Sequence, residues 1–239
     1  MARDTVVETQ GLTVRFGGVT ALDRVTVSIA DKELRCLIGP NGAGKSTFFK
    51  CVTGLLKPSE GTIHIRGEDT TGWNPHEIAR LGVGIKTQVP SVMNGLSARE
   101  NIWLAARRRA STKEADRTVA EVLERLKLGG IAAAEVATLA HGQRQLVELG
   151  IVLAGRPWLI LLDEPAAGLT GEEVQRMAEV IREMNREASL VIVEHDMHFI
   201  RSIARIVTVF HQGRVLLEAP VDEVMANQKV RDVYLGKTA

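Results

Sequence analysis

Apolar residues along this chain follow two periods, and the change from one to the other divides the sequence into blocks. Across residues 6–16, 25–30 and 33–38 the apolar positions alternate with polar ones or run together, as they do in half-buried and fully buried strands. Residues 61–66 (GTIHIR) read as a further strand, flanked by Pro58 and Gly67. Between about 88 and 156 the pattern is almost entirely helical. Short apolar runs return at 158–162, 190–193 and 206–210, alternating with helical stretches at 172–185 and 197–204. Three segments open with a hydroxyl residue and carry Glu three positions on: Ser97 with Glu100, Ser111 with Glu114, and Thr170 with Glu173. In each, the two side chains can satisfy each other's orphan N–H groups, so helices are expected to begin there. Strand–helix alternation implies a mostly parallel sheet covered by helices, with the helical block as an insertion into that α/β core. Low-complexity segments, long linkers and internal repeats are absent from the sequence.

Composition narrows the picture without changing it. A chain of 239 residues that is 45% hydrophobic and 25% charged can build a substantial core. Its 30 basic and 29 acidic side chains leave a net charge of +1, which gives no electrostatic reason to expect nucleic acid or an anionic membrane as the main ligand. The densest basic run, Arg107-Arg108-Arg109, reads as a solvated helix C-terminus favoured by the helix dipole. Cys36 in an apolar strand and Cys51 on the following helix are expected to be small buried side chains in a reducing compartment, not a disulfide or a metal set. The opening MARDTVVETQ has no signal-peptide core, and no run approaches the ~20 apolar residues of a spanning helix. These features predict a soluble, cytoplasmic protein.

Two constellations carry chemistry. Gly39-Pro40-Asn41-Gly42-Ala43-Gly44-Lys45-Ser46 satisfies G-x-x-x-x-G-K-[ST], between a predicted strand and a predicted helix. Glycines let the backbone fold tightly, so that successive N–H groups converge on phosphate oxygens at a helix N-terminus. Lys45 would supply a point charge between the β- and γ-phosphates, and the Ser46 hydroxyl a ligand for magnesium. The second is the apolar run 159–162 ending in Asp163-Glu164. Two acids at the end of a buried strand are costly unless a cation or a proton transfer needs them. Asp163 suits a magnesium ligand and Glu164 a base that polarises an attacking water.

With these motifs in place, the chain resembles ABC transporter ATP-binding subunits over essentially its whole length. Leu139-Ala140-His141-Gly142-Gln143 is similar to the family's signature, usually LSGGQ, at a helix start. Gln88 matches the glutamine that joins core to helical subdomain and reaches magnesium. His195, in VIVEHDM, matches the switch histidine expected at the γ-phosphate, and Phe16, in VRFGG, is placed like the aromatic that stacks on adenine. Read as a single residue, Phe16 could equally be a core side chain.

The resemblance implies an α/β fold: a P-loop NTPase (RecA-like) core with an N-terminal antiparallel β region and an inserted α-helical subdomain. The resemblance implies one ABC ATPase domain, with 1–87 and 157–239 as core and 88–156 as helical signature subdomain. It further implies ATP and Mg2+ as cofactors. The implied catalytic residues are Glu164, His195 and Gln88, and the metal set is Ser46, Gln88 and Asp163. Nucleotide contacts would come from Phe16, the P-loop residues with Thr47, and residues 139–143. Implied partners are a second ABC ATPase subunit, identical or not, two transmembrane permease subunits, and an extracytoplasmic solute-binding protein acting through them, with no nucleic acid. The ATPase would sit peripherally on the inner face of the cell membrane.

PAAGL, EHDM and the terminal YLGK resemble importers of branched-chain amino acids, whereas ELRCLIGPNGAGKS and HGQ resemble the related urea importers. Branched-chain or related amino acids are therefore the expected cargo, with urea or short amides as the alternative. A non-transport ABC ATPase fits less well. DNA-repair members insert long coiled coils before the signature, translation factors carry two cassettes, and P-loop small-molecule kinases need neither signature nor switch histidine. Two departures stand out. Ala140 replaces the signature Ser, and Thr170 stands where many members have Asp, so the two ATP sites of an assembled motor are expected to be unequal. The apolar surplus in 88–96, including Val89 and Met93, is expected to border a groove for a membrane subunit.

Overall fold

The computed structural model describes residues 5–108 and 110–234. The N-terminal 1–4, Arg109 of the arginine run, and the Leu235-Gly236-Lys237 part of YLGK lie outside the described residues. Two sheets organise the rest. The chain opens with β1 (Thr5–Phe16), β2 (Val19–Ala30) and β3 (Leu34–Ile38), followed by α1 (Lys45–Val52), β4 (Glu60–Ile65) and β5 (Glu68–Asp69). Then come α2 (Pro75–Arg80), β6 (Val83–Lys86), and the helices α3 (Ala98–Arg107), α4 (Thr112–Arg125) and α5 (His141–Ala154). The remainder alternates: β7 (Leu159–Asp163), α6 (Gly171–Met184), β8 (Ser189–Val193), α7 (Met197–Ile203), β9 (Ile206–His211), β10 (Arg214–Pro220), α8 (Val221–Ala226) and α9 (Gln228–Tyr234).

The first sheet is antiparallel, in the order β2-β1-β4-β5; the second runs β10-β9-β3-β8-β7-β6 and is parallel except at β10. Its central strands are buried on both faces, and period-two alternation sorts their side chains. Cys36, Ile160, Leu162, Leu190 and Ile192 join the core under the later helices. Leu37, Leu159, Leu161, Val191 and Val193 join the core shared with α1 and the antiparallel sheet. There Phe48 of α1 meets Phe210 of β9 with ring centroids 5.4 Å apart. Both cysteines are buried, and burial pushes the Cys51 thiol up to about 12, so neither is a reactive thiolate.

The capping pattern locates its helices well. Ser97 and Ser111 each accept from the N–H three residues on, while Glu100 and Glu114 return a bond to the cap N–H at 2.8 Å. At α6 the Thr170 N–H donates to Glu173 at 2.8 Å. Two sequence expectations need correction, and three elements went unread. Residues 88–97 are not helical, because Pro90 and Gly95 punctuate an irregular segment that holds itself by turn bonds such as Leu96 N–H to Met93 C=O. The strand expected at 25–30 begins at Val19, hidden by Asp23-Arg24, where Arg24 has φ 52° and the register with β1 shifts. And β6, α2 and β10 are too short or too polar on one side to announce themselves.

Between core and helical block lies a buried ion pair: Lys86 at the end of β6 meets Glu148 of α5 at 3.2 Å, each side chain 3% exposed. Removing one member strands the other charge in the interior, which typically costs about 3–5 kcal/mol, whereas an apolar replacement of both is often neutral. Urea unfolding should therefore show Glu148→Ala losing about 3 kcal/mol or more, and the double variant Lys86→Met/Glu148→Leu regaining most of it.

Candidate nucleotide site

Parallel pairing brings four loops to one edge. β3, β8, β7 and β6 are neighbours and run in the same direction, so the segments that leave their C-terminal ends emerge together at the carboxyl edge of the sheet. Those segments are the glycine-rich loop after β3, Asp163-Glu164 at the end of β7, Glu194-His195 after β8, and Gln88 after β6.

The loop after β3 depends on two glycines. Gly39 has φ 146°, and a Cβ there would lie 2.2 Å from the Phe210 carbonyl oxygen. Gly44 has φ 108°, and a Cβ would meet Leu22 and the Ala21 carbonyl at 2.8 and 2.9 Å. Without a side chain at either position the backbone passes this close to its neighbours and leads into the N-terminus of α1, where the first N–H groups have no intrahelical acceptor. Lys45 is buried and its ammonium donates to the carbonyls of Gly39 (2.6 Å) and Pro40 (3.0 Å). Burial holds its pKa below the usual lysine value, and the nearby carboxylates of Glu164 and Asp163 oppose that shift. Ser46 is exposed at the loop's open side and Thr47 comes next at intermediate depth.

Across the edge, Asp163 is buried, and its carboxyl is held above the usual aspartate range by burial first and by the neighbouring Glu164 charge second. Glu164 takes φ 48°, the left-handed region that a non-glycine residue adopts at a cost of about 1 kcal/mol or more. That geometry turns its carboxylate out of the strand line: Oε2 accepts from Gln88 Nε2 at 3.2 Å and Oε1 lies 3.6 Å from His195 Nδ1. Residues assigned to one task from separate motifs thus touch. Phe16 is 53% exposed on the β1–β2 turn, so the core alternative for it does not hold. Among the described residues no group of three or more His, Cys, Asp or Glu could hold a metal by itself. A hard cation that takes one hydroxyl, one carboxylate and the oxygens of a phosphate ligand suits such a site, and the repulsion between Asp163 and Glu164 favours a cation beside them.

The five residues 139–143 sit elsewhere, and among the described residues no hydrogen bond joins them to the glycine-rich loop. They begin α5, with Ala140 as its N-cap. Gln143 accepts from the Ala140 N–H at 3.1 Å, but a methyl group offers no acceptor in return, so only half of a capping box exists. Gly142 is tightly covered: a Cβ would fall 2.2 Å from the Glu173 carboxylate. His141 turns its ring onto the same chain's loop after β7, with Nε2 2.9 Å from the Ala167 carbonyl.

Sequence reasoning passed over Glu194. It is 1% exposed and accepts N–H bonds from Ala166 (3.0 Å), His195 (2.9 Å) and Asp196 (3.4 Å). The signal was present, since an acid ends the apolar run 190–193 as Asp163 ends its own strand, but the adjacent histidine drew the assignment.

Comparison with known proteins agrees with this architecture. The family described as ABC transporter matches residues 22–167. The high-affinity branched-chain amino acid transport ATP-binding protein BraF of Pseudomonas aeruginosa is 34% identical, with 97% of this chain and 98% of BraF aligned. The LivG protein of the same description from Escherichia coli is 33% identical over 95% of this chain and 96% of its own. Among solved structures, an ATP-binding cassette of an ABC transporter in its ADP conformation superposes with TM-score 0.88 at 26% identity, covering 97% of this chain and 99% of that one. A dimeric cassette in a post-hydrolysis state bound to ADP and Pi gives 0.80 at 25% identity, over 90% and 98%.

The site's electrostatics and capping each predict an outcome. Asp163 has a folded-state pKa above its unfolded value, so its ionisation opposes folding at neutral pH and ceases to do so as pH falls through the folded pKa toward the unfolded one. Asp163→Asn should therefore raise the melting temperature of the nucleotide-free chain near pH 7, and the gain should shrink on acidification. Ala140→Ser would supply the missing acceptor at the start of α5 and should stabilise the isolated chain by about 0.5–1 kcal/mol in denaturant titration.

Proposed function

The chain belongs to the ABC transporter family of ATP-binding proteins, and from that membership we propose that it powers an importer of branched-chain amino acids. It is an ATPase of the transport-coupled kind. The cargo is inferred from the names of relatives aligned along nearly their full length. The observation that carries the catalytic reading is the Glu164 carboxylate held between Gln88 and His195 at the edge that also presents Lys45.

In this reading Lys45 and the N–H groups from Asn41 to Thr47 grip the phosphates of ATP, and Phe16 stacks on the base. Ser46, Asp163 and Gln88 would hold magnesium, which would neutralise phosphate charge. Glu164 orients the attacking water and takes its proton, while His195 faces the γ-phosphate and keeps the Glu164 carboxylate in line. Residues 139–143 serve the nucleotide of a second ATPase subunit. The loss of the signature hydroxyl at Ala140 removes one hydrogen bond to a charged group there, worth about 1.5–3 kcal/mol, so with a partner that keeps Ser the site completed by this chain is the weaker of the pair.

A cleft of about 390 Å3 between core and helical block, lined by Leu55, Pro75, Ala79, Ala105 and Ile151 among others, adjoins the loop at Thr87. Val89 and Met93 just beyond are 75% and 57% exposed. This surface supports a reading in which a cytoplasmic segment of a permease subunit docks here and the ATPase works at the inner face of the membrane. A solute-binding protein would deliver cargo from the far side. No helix among the described residues is long and apolar enough to cross a membrane itself.

Lys45 meets phosphate in the ground state, whereas Glu164 acts only as the bond to phosphorus is broken. Lys45→Ala should abolish binding of a fluorescent ATP analogue. Glu164→Gln should bind it as tightly as the unaltered chain and lower the hydrolysis rate by at least a hundredfold, on the order of magnitude of a lost general base. Equal loss of affinity in both variants would remove Glu164 from the catalytic role. Growth of a deletion strain on branched-chain amino acids against urea as nitrogen source distinguishes the cargoes.

A further inference from the structure

We infer that Glu194 is a positioning residue that locks the loop after β7 to the switch histidine, so that Glu164 and His195 keep a fixed relation. Its two carboxylate oxygens serve two different segments. Oε1 accepts the Ala166 N–H at 3.0 Å, two residues beyond Glu164. Oε2 accepts the His195 N–H at 2.9 Å and the Asp196 N–H at 3.4 Å. All three partners are donors, and only a side chain with two acceptor oxygens and no donor can receive from both loops at once. The side chain is 1% exposed, so these bonds are made without water competing for them.

Placing a carboxylate here has an evident disadvantage, which argues that its geometry is needed. Glu194 lies close enough to Asp163 to add to the repulsion that Asp163 already feels from Glu164. A hydroxyl or amide could cap the turn at 195–196 without that repulsion, but could not also hold Ala166 without setting a donor against a donor. The neighbouring acid is not available to substitute, because the Asp196 carboxylate already caps α7 through the His198 and Phe199 N–H groups at 2.8 and 3.0 Å. From its other side, the same loop is held by His141 at the Ala167 carbonyl. The loop after β7 is thus fixed between the start of α5 and Glu194, and Glu194 passes that position on to His195.

This inference rests on the reading of Glu164 and His195 as the hydrolytic pair, and the test separates the two. In the full chain, Glu194→Gln keeps the side-chain volume and removes one acceptor. ATP hydrolysis should fall by about tenfold or more, as expected from the loss of a hydrogen bond to a charged group, while KM for ATP stays within about twofold. Hydrogen exchange should accelerate in both 164–170 and 194–197. A variant with unchanged turnover, or with exchange altered in only one of the two segments, would overturn the inference. In the unaltered chain, residue-resolved exchange should show the amides of Ala166 and His195 opening together at one rate; independent opening would overturn it whether or not the variant folds. Hydrolysis that survives Glu164→Gln overturns the hydrolytic reading and this inference with it, whereas Glu194→Gln without effect beside an inactive Glu164→Gln overturns this inference alone.

Discussion

Parallel hydrogen bonding among β6, β7, β8 and β3 is the constraint on which the rest of this protein depends. Because those strands are covered on both faces, charged groups other than the ion-paired Arg35 near the start of β3 collect where the strands end. Parallel strands end on the same side. One edge therefore receives the glycine-rich loop, two consecutive acids, a buried glutamate with a histidine, and a glutamine, from parts of the chain far apart in sequence. The register fixes the match closely, with Asp163 opposite Val193 on β8 and Lys86 opposite Leu162 on β7.

The charges gathered there are in tension with one another. Asp163, Glu164 and Glu194 lie near enough for the first to be perturbed by the other two, while Lys86 and Lys50 relieve it in part. Lys45 is desolvated beside them. Left-handed backbone at Glu164 adds strain to repulsion. A fold selected for stability alone would not assemble this set. A site that receives a nucleotide, with the magnesium proposed for it, gains from this set because the ligand would supply the missing counter-charges.

The helical block shares an apolar core with the sheet, and polar contacts tie it to this edge. Lys86 and Glu148 form their pair at the root of the block, and His141 meets the Ala167 carbonyl at its tip. Between them, α5 packs through Gly150 against Ile102 of α3, closely enough that a Cβ would come within 2.9 Å. The start of α5 is consequently referred to the loop after β7 of its own chain even though residues 139–143 make no bond to their own glycine-rich loop. Without a cap oxygen at Ala140 that start is held by Gln143 and His141, with Glu173 packed against Gly142.

Legible in the sequence alone is whatever a few consecutive residues can express. The glycine-rich loop could be read because its function is a local backbone shape, and the helices at Ser97 and Ser111 because a cap bonds to a residue three positions away. Apolar runs marked the buried strands and the acids marked where β7 stops. Short or interrupted elements escaped, since β6, with four residues, is too brief to show a period and the register shifts in β2 break its alternation. Phe16 could not be placed from its type, because exposure depends on what the folded chain leaves beside the turn, and here it leaves solvent. The pairing of Lys86 with Glu148, the turning of His141 toward Ala167, and the reach of Glu194 across to Ala166 were decided only by tertiary structure. Each is a contact between segments that share no sequence neighbourhood, and for Lys86, Glu148 and Glu194 it is made specific by burial that no single residue carries in its own identity.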